Sequence, residues 1–204
     1  MSNGSVIVGI VVALGIGAPA LAQLPPGVFA GEHNYKLATP GTYKLDPGHT
    51  AVIAKVRHVG YGLSVFRFDR VEGALTWDPA APAKSSLNVS VDTASIATPV
   101  KGFAEELAGD KYLKSKAFPK ATFVSKRFQQ IDASHGKVVG ELTLLGNTHP
   151  ATFDVQLGGA GKGFMGKPRI GVQAVTHINP TEFGLPAMFG PAIALEIDAE
   201  FEHA

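Results

Sequence analysis

Histidine is the side chain here best suited to metal or acid–base chemistry, because the sequence has seven histidines and no cysteine. A folded chain could bring His49, His58 and His177 together as metal ligands. None of them stands in the His-x-His or His-Glu-x-x-His spacing that local zinc sites use. A metal-dependent enzyme using histidines at the mouth of the fold therefore remains an alternative interpretation and not the main one.

Other catalytic patterns are weaker. The sequence has no Gly-x-Ser-x-Gly motif of a serine hydrolase. Neighbouring carboxylates occur at Glu105-Glu106 and on the outer face of the last predicted strand, where solvation explains them. The formal net charge of +1 gives no reason to expect a polyanionic partner. We predict no enzymatic activity, no required cofactor, no metal site and no nucleic acid partner.

Alternation of apolar and polar residues is the dominant pattern of the chain. Val138–Leu144 and Ala151–Leu157 alternate with the period of half-buried strands, and Gly146-Asn147 between them predicts a tight hairpin turn. The clearest strand is the last, where Ile193 to Phe201 place an apolar residue at every second position. Strands with one apolar face require a larger sheet to cover that face.

One segment has helical periodicity instead. Thr98 suits the N-cap, Pro99 the first helical position and Gly109 the position after the helix, and apolar residues between them recur at helical spacing. We predict an amphipathic helix of about ten residues that covers one end of the sheet. The glycine-rich stretch 158–166 predicts a mobile loop at the rim. We interpret it as a turn and not as a phosphate-binding loop, because it lacks the features of such a loop.

About eight alternating strands joined mostly by short turns predict an all-β fold. An antiparallel sheet with one dry face closes best into a barrel, since closure removes exposed edges. The prediction is a closed antiparallel eight-stranded β-barrel with one inserted amphipathic helix. Such a barrel is either filled by its own side chains or holds one slim ligand.

The N-terminus has the features of a secretory signal. Val6–Ala18 is an apolar run that is short for a membrane span, and Ala20-Leu21-Ala22 is a small-x-small cleavage pattern. We predict a signal peptide at residues 1–22, a loosely ordered leader at 23–41 and the barrel at 42–204. A retained N-terminal anchor is the alternative.

Five stretches carry a family resemblance through their order and spacing. They are Tyr43–Thr50, Val56–Gly60, Leu113–Phe123, Gly140–Thr148 and Ile178–Leu185. Together they resemble the YceI-like family of polyisoprenoid-binding periplasmic proteins. The resemblance implies a lipocalin-like barrel that takes a long isoprenoid or similar lipid tail, a periplasmic location, homodimers and no enzymatic activity.

The predicted function is a periplasmic carrier that shields a prenyl quinone or the tail of a polyprenyl phosphate from water. Another amphiphile, such as a fatty acid or fatty amide, would suit the same interior. A structural or interaction protein with a filled barrel is a further alternative. A carrier would have an isoprenoid lipid or quinone as its bound ligand and transient contact with a membrane surface.

Candidate binding residues follow from the inward apolar stripes, the helix and the apolar loop before the last strand. For the tail they are Val52, Ala54, Val56, His58, Phe68, Leu107, Leu113, Phe123, Phe183, Leu185, Met188 and Phe189. His58 is included because it continues the inward stripe of its strand. A polar or anionic head group could meet Arg57, Tyr61 and Arg67 near the end of that strand.

Overall fold

The computed structural model describes residues 31–163 and 166–204, so the predicted signal peptide and the first part of the leader lie outside it. Within these residues the chain forms one α-helix, α1 (Phe103–Ala108), and six short 3-10 turns. No described helix has the length and apolar character needed to cross a bilayer. The strands are β1 Gly41–Leu45, β2 Ala51–His58, β3 Gly62–Phe68, β4 Val71–Trp77, β5 Ser86–Asp92, β6 Ile96–Ala97, β7 Lys120–Gln130, β8 His135–Leu144, β9 Asn147–Lys162, β10 Pro168–Ile178 and β11 Ile193–His203.

Eight of these strands form a closed antiparallel ring in the order β1-β4-β5-β7-β8-β9-β10-β11. The first strand closes the ring because it pairs on both sides: Tyr43 lies opposite Leu75 of β4 and opposite His203 of β11. The predicted closed eight-stranded all-β barrel is therefore confirmed. The Tyr43 side chain is fully buried at this closure, and its hydroxyl donates a 2.6 Å hydrogen bond to the Thr39 carbonyl.

The remaining strands extend one end of the barrel. Strand β2 pairs with the N-terminal half of β11, and β3 pairs with β2 along its whole length. The two-residue strand β6 reaches β3 only at Arg67 and Phe68, so in the described structure the other side of residues 62–66 has no strand partner. Helix α1 lies beside this edge, where the Phe103 and Phe66 rings are 6.1 Å apart.

The β8–β9 hairpin turns one residue earlier than predicted. The two central residues are Leu145 and Gly146, with φ angles of 52° and 78°, so the predicted Gly146-Asn147 turn is wrong by one position. The left-handed conformation of Leu145 is tolerated because its side chain is buried in the core. Asn147 starts β9, and its Nδ2 donates to the Phe183 carbonyl at 3.1 Å.

The predicted helix is present but shorter. It begins at Phe103, and its N-cap is Gly102 with a left-handed φ of 78°, not Thr98. Thr98 closes a separate turn, in which its hydroxyl accepts from the Val100 amide at 3.4 Å. The positive φ of Gly102 interrupts the helical path, which explains why Val100 is exposed while Leu107 is buried.

The glycine-rich stretch is part of a strand as far as Lys162, so the predicted loop at 158–166 is wrong over its first five residues. The reason is long-range pairing: residues 159–162 pair with β10, and the leader adds a bridge at Ala160, where the Glu32 and Ala160 backbones exchange two hydrogen bonds of 2.9 Å. Gly159 permits the approach, since a Cβ there would stand 2.8 Å from the Gly31 Cα. Residues 164 and 165 lie outside the described structure.

Candidate functional site

The barrel encloses an apolar cavity of about 250 Å³. Alternation along the strands creates it, because Val52, Ala54 and Val56 face inward while Lys55 faces outward to pair with Glu196 at 2.6 Å. One end of the cavity is covered by side chains from α1 and from the segments that connect the strands. They are Leu107, Tyr112, Leu113, Leu185 and Phe189.

The polar side chains around this cavity are three threonines and Tyr112. Thr50 donates to the Asp46 carbonyl at 2.7 Å, and Thr93 donates to the Phe118 carbonyl at 2.8 Å, so both hydroxyls already have backbone acceptors. No Asp, Glu, Lys, Arg or His of the described chain lines the space. The cavity can bury hydrocarbon, and Tyr112 is the one titratable side chain of the described chain that lines it.

A second cavity of about 110 Å³ lies on the far side of Phe128. The two cavities share a wall made of Leu75, Phe128, Val138, Val155 and Val172. The leader contributes Tyr35, whose ring is 6.1 Å from that of Trp77, the sole tryptophan of the chain. The indole Nε1 of Trp77 is buried with no hydrogen-bond acceptor among the described residues. Sequence reasoning missed this cavity, because it depends on the packing of the leader against β4 and β9.

Nine of the twelve residues predicted to bind the tail line the main cavity. They are Val52, Ala54, Val56, Phe68, Leu107, Leu113, Phe123, Leu185 and Phe189. Residues on β4, β5 and β11 that sequence reasoning omitted also line it, and the alternating pattern would have found Leu75, Leu87, Leu195 and Ile197.

The other three predicted residues lie elsewhere. His58 is exposed, so its inward placement was wrong: β2 ends there and the backbone turns into the hairpin to β3. Phe183 is buried but packs outside the cavity, with its ring 5.0 Å from the His149 ring. Met188 is 71% exposed beside the cavity residue Phe189.

The predicted head-group residues do not converge. Arg57 and Tyr61 are exposed at the β2–β3 hairpin, where Arg57 lies opposite Leu63. Arg67 lies opposite Ile53, which is four residues before Arg57 in β2, and its Nε contacts the Asp69 carboxylate at 3.0 Å. These side chains therefore form no single anion pocket in the described structure.

The three histidines of the alternative metal-site interpretation do not converge. His49 precedes β2, His58 ends it, and His177 is exposed on the outer face of β10 between two buried residues. Asp46, His49 and Glu200 do bring ligand-type atoms within 4.8 Å of one another.

A guanidinium already occupies this carboxylate cluster. Arg169 contacts Asp46 at 2.8 Å, Glu200 at 2.6 Å and Glu202 at 2.9 Å. The three acids come from β11 and the end of β1, and Arg169 comes from β10. The arrangement is an ion-pair cluster that ties the closing strands together.

Removal of Arg169 should destabilise the barrel in a pH-dependent way. We expect Arg169→Met to lower the free energy of unfolding at pH 7 by about 1–2 kcal/mol, because the three carboxylates would stay close without the guanidinium. A hydrogen bond from His49 and contacts from Arg169 hold the pKa of Asp46 below its ordinary value, and Lys167 and Arg169 do the same for Glu202.

A carboxylate whose pKa is lowered by folding stabilises the fold above its unfolded pKa of about 4, and that stabilisation is lost as the pH falls through the folded pKa. Urea unfolding should therefore show a smaller difference between wild type and Arg169→Met at pH 3 than at pH 7. Lys137→Met is the control, since it removes only an exposed pair with Asp154 at 3.2 Å. An equal difference at both pH values would contradict this account.

A closed antiparallel barrel around an apolar space defines the molecule as a hollow β-barrel of the ligand-binding class. The chain belongs to the YceI-like domain family, whose model matches residues 43–201. A UPF0312 protein of Pseudomonas putida (strain W619) is 32% identical over 167 residues, which are 81% of this chain and 87% of the relative.

Solved structures agree with this assignment. The YceI protein of Campylobacter jejuni superposes with a TM-score of 0.65 at 27% identity and covers 74% of this chain and 91% of its own. A polyisoprenoid binding domain from Saccharophagus degradans superposes with a TM-score of 0.58 at 16% identity, over 79% of this chain and 98% of that domain. The second likeness shows a shared fold.

Proposed function

We propose that this protein is a periplasmic carrier that sequesters the hydrocarbon tail of an isoprenoid lipid, such as a prenyl quinone or a polyprenyl phosphate. The observation that carries the proposal is the cavity of about 250 Å³, whose lining in the described chain contains no ionisable Asp, Glu, Lys, Arg or His side chain. Membership of the YceI-like family and the polyisoprenoid-binding description of the Saccharophagus domain support the choice of lipid.

Hydrophobic burial alone supplies enough affinity for such a role. Burying a methylene contributes about 0.8 kcal/mol, so one five-carbon prenyl unit contributes roughly 3–4 kcal/mol before losses. Two or three buried units would give roughly micromolar binding after the costs of association. The ligand needs no covalent attachment and no cofactor, and the proposed role is binding and not catalysis.

The periplasmic part of the proposal rests on the charge-free, apolar N-terminal segment with its small-x-small pattern, which is typical of an exported protein. A fatty acid or fatty amide is the second candidate ligand, because an apolar cavity does not by itself distinguish a branched tail from a linear one.

Native mass spectrometry tests the proposal directly. We expect the gently purified protein to carry one lipid, and the delipidated protein to take up a long-tailed prenyl quinone but not a quinone with the same head group and no tail. Uptake should depend on the tail because the cavity lining is apolar and presents few polar groups that could bind a head group. Extraction of a fatty acid instead would favour the second candidate, and a protein that takes up neither lipid would refute the carrier function.

A further inference from the structure

Exposed apolar side chains are concentrated on the hairpin between β2 and β3. Among the ten large hydrophobic residues that are exposed in the described structure, four lie between positions 59 and 65. Tyr61 is 93% exposed and Val59 is 78% exposed, while Leu63 and Val65 are about half exposed on the outer face of β3. Single exposed apolar residues are ordinary, but a run of four on one hairpin points to an interaction surface.

The backbone at the tip holds these side chains away from the barrel. Val59 has a φ of 42° and Gly60 a φ of 85°, so the turn places a β-branched residue in the left-handed region. That conformation is unfavourable for valine and gains no core packing here, since the side chain is exposed. The two positive φ angles shape the hairpin turn, which the Tyr61 amide closes by donating to the His58 carbonyl at 2.9 Å.

The charge of the hairpin has one sign. From Arg57 to Arg67 the chain contains two arginines, one histidine and no acidic residue. Arg67 pairs with Asp69, whereas the exposed Arg57 forms no ion pair with any described residue. Apolar and aromatic side chains at a tip, with cations behind them, fit the interfacial region of an anionic bilayer.

The same hairpin adjoins the end of the main cavity. Val56 and Phe66 line the cavity from β2 and β3, only a few residues from the tip. The 3-10 turn 187–189 packs against β2, and in it Phe189 lines the cavity while Met188 is exposed. A bilayer that receives the tip would therefore lie next to the cavity.

We propose that the β2–β3 hairpin tip, residues 59–63, docks this protein on anionic lipid bilayers by inserting Val59, Tyr61 and Leu63 among the head groups. This inference rests on the proposed carrier function, because docking would allow a lipid tail to pass between the bilayer and the cavity without crossing water. A second copy of the chain is the less suitable occupant: a stable interface buries about 800 Å² per partner, more than a narrow tip provides.

Vesicle flotation tests the docking surface. The wild-type protein should float with vesicles of phosphatidylcholine and phosphatidylglycerol and bind pure phosphatidylcholine vesicles less. Tyr61→Asp should reduce the bound fraction at least about tenfold, because an aromatic ring is lost and a like charge added. Arg57→Gln should reduce it about fivefold through the lost attraction to anionic lipid. The Tyr61 and Arg57 side chains are exposed, so both variants should fold normally.

Ile131→Asp is the matched control. It makes the same kind of change at an exposed apolar residue on the β7–β8 turn, beside the second cavity, and should float like the wild type. Wild-type protein that does not float, or Tyr61→Asp that floats equally well, would overturn the proposal. The proposal would also be overturned if the wild-type protein formed a dimer, Tyr61→Asp dissociated that dimer, and neither protein bound vesicles.

Cargo binding is measured separately, in detergent without vesicles. Tyr61→Asp should retain normal uptake of a prenyl quinone by native mass spectrometry, because its side chain does not line the cavity. This result, together with lost flotation, would support docking as a step distinct from binding. Loss of quinone uptake by Tyr61→Asp would instead assign Tyr61 to the cargo site and overturn the docking role.

Discussion

Ala54→Phe is expected to reduce the affinity for a prenyl quinone by about a hundredfold while the barrel remains folded. Ala54 lies in the cavity wall between Phe66 of β3 and Leu195 of β11, and all three side chains line the space. A benzyl group at this position would occupy room needed by one prenyl unit, which contributes roughly 3–4 kcal/mol. Quinone titration followed by fluorescence of Trp77 can measure the loss, because Trp77 is the sole tryptophan and contacts the shared wall residue Phe128.

The thermal midpoint separates loss of the site from loss of the fold. Filling an empty cavity usually leaves stability unchanged or raises it, so the midpoint of Ala54→Phe should not fall. Ala74→Phe is the matched control, because Ala74 is exposed on the outer face of β4, opposite Lys44 and Asn88. Wild-type affinity in a folded Ala54→Phe variant would mean that the tail binds somewhere other than the main cavity.

The strands and their inward faces could be predicted because alternation is a local property. A residue and its second neighbour on a strand face the same side, so Val52, Ala54 and Val56 were placed correctly with no knowledge of their partners. Barrel closure followed from the same pattern, since a sheet of many half-buried antiparallel strands needs its edges removed.

The errors occur where a long-range contact decides the local structure. His58 continues an inward pattern, but the strand ends there: His58 pairs with Gly62 at the turn end of the β2–β3 hairpin, and its side chain is exposed. The stretch 158–162 is a strand because β10 pairs with residues 159–162, and Glu32 adds a bridge at Ala160 from more than a hundred positions away. The second cavity is lined jointly by Tyr35, Trp77 and Phe128, and no spacing in the sequence indicates that these three residues meet.

Gly140→Ala should destabilise the barrel by about 1–3 kcal/mol, although it adds only one methyl group to a strand. A Cβ on Gly140 would stand 2.6 Å from the Phe123 Cζ and would also clash with the Val124 carbonyl oxygen. The ring has little room to retreat, because Phe123 packs edge-on against Phe153 with their centroids 4.9 Å apart. For a chain of this size, the thermal midpoint should fall by roughly 2–12 °C.

Gly62→Ala is the control for the intrinsic effect of the substitution. A Cβ at Gly62 would meet nothing within 4 Å, and reduced freedom of the unfolded chain should make this variant neutral or more stable by up to about 1 kcal/mol. Gly140→Ala should also weaken quinone binding, since Phe123 lines the cavity and its displaced ring would enter it. If both variants melt like the wild type, Phe123 can move freely, and the wall at β7 and β8 is less closely packed than the structure shows.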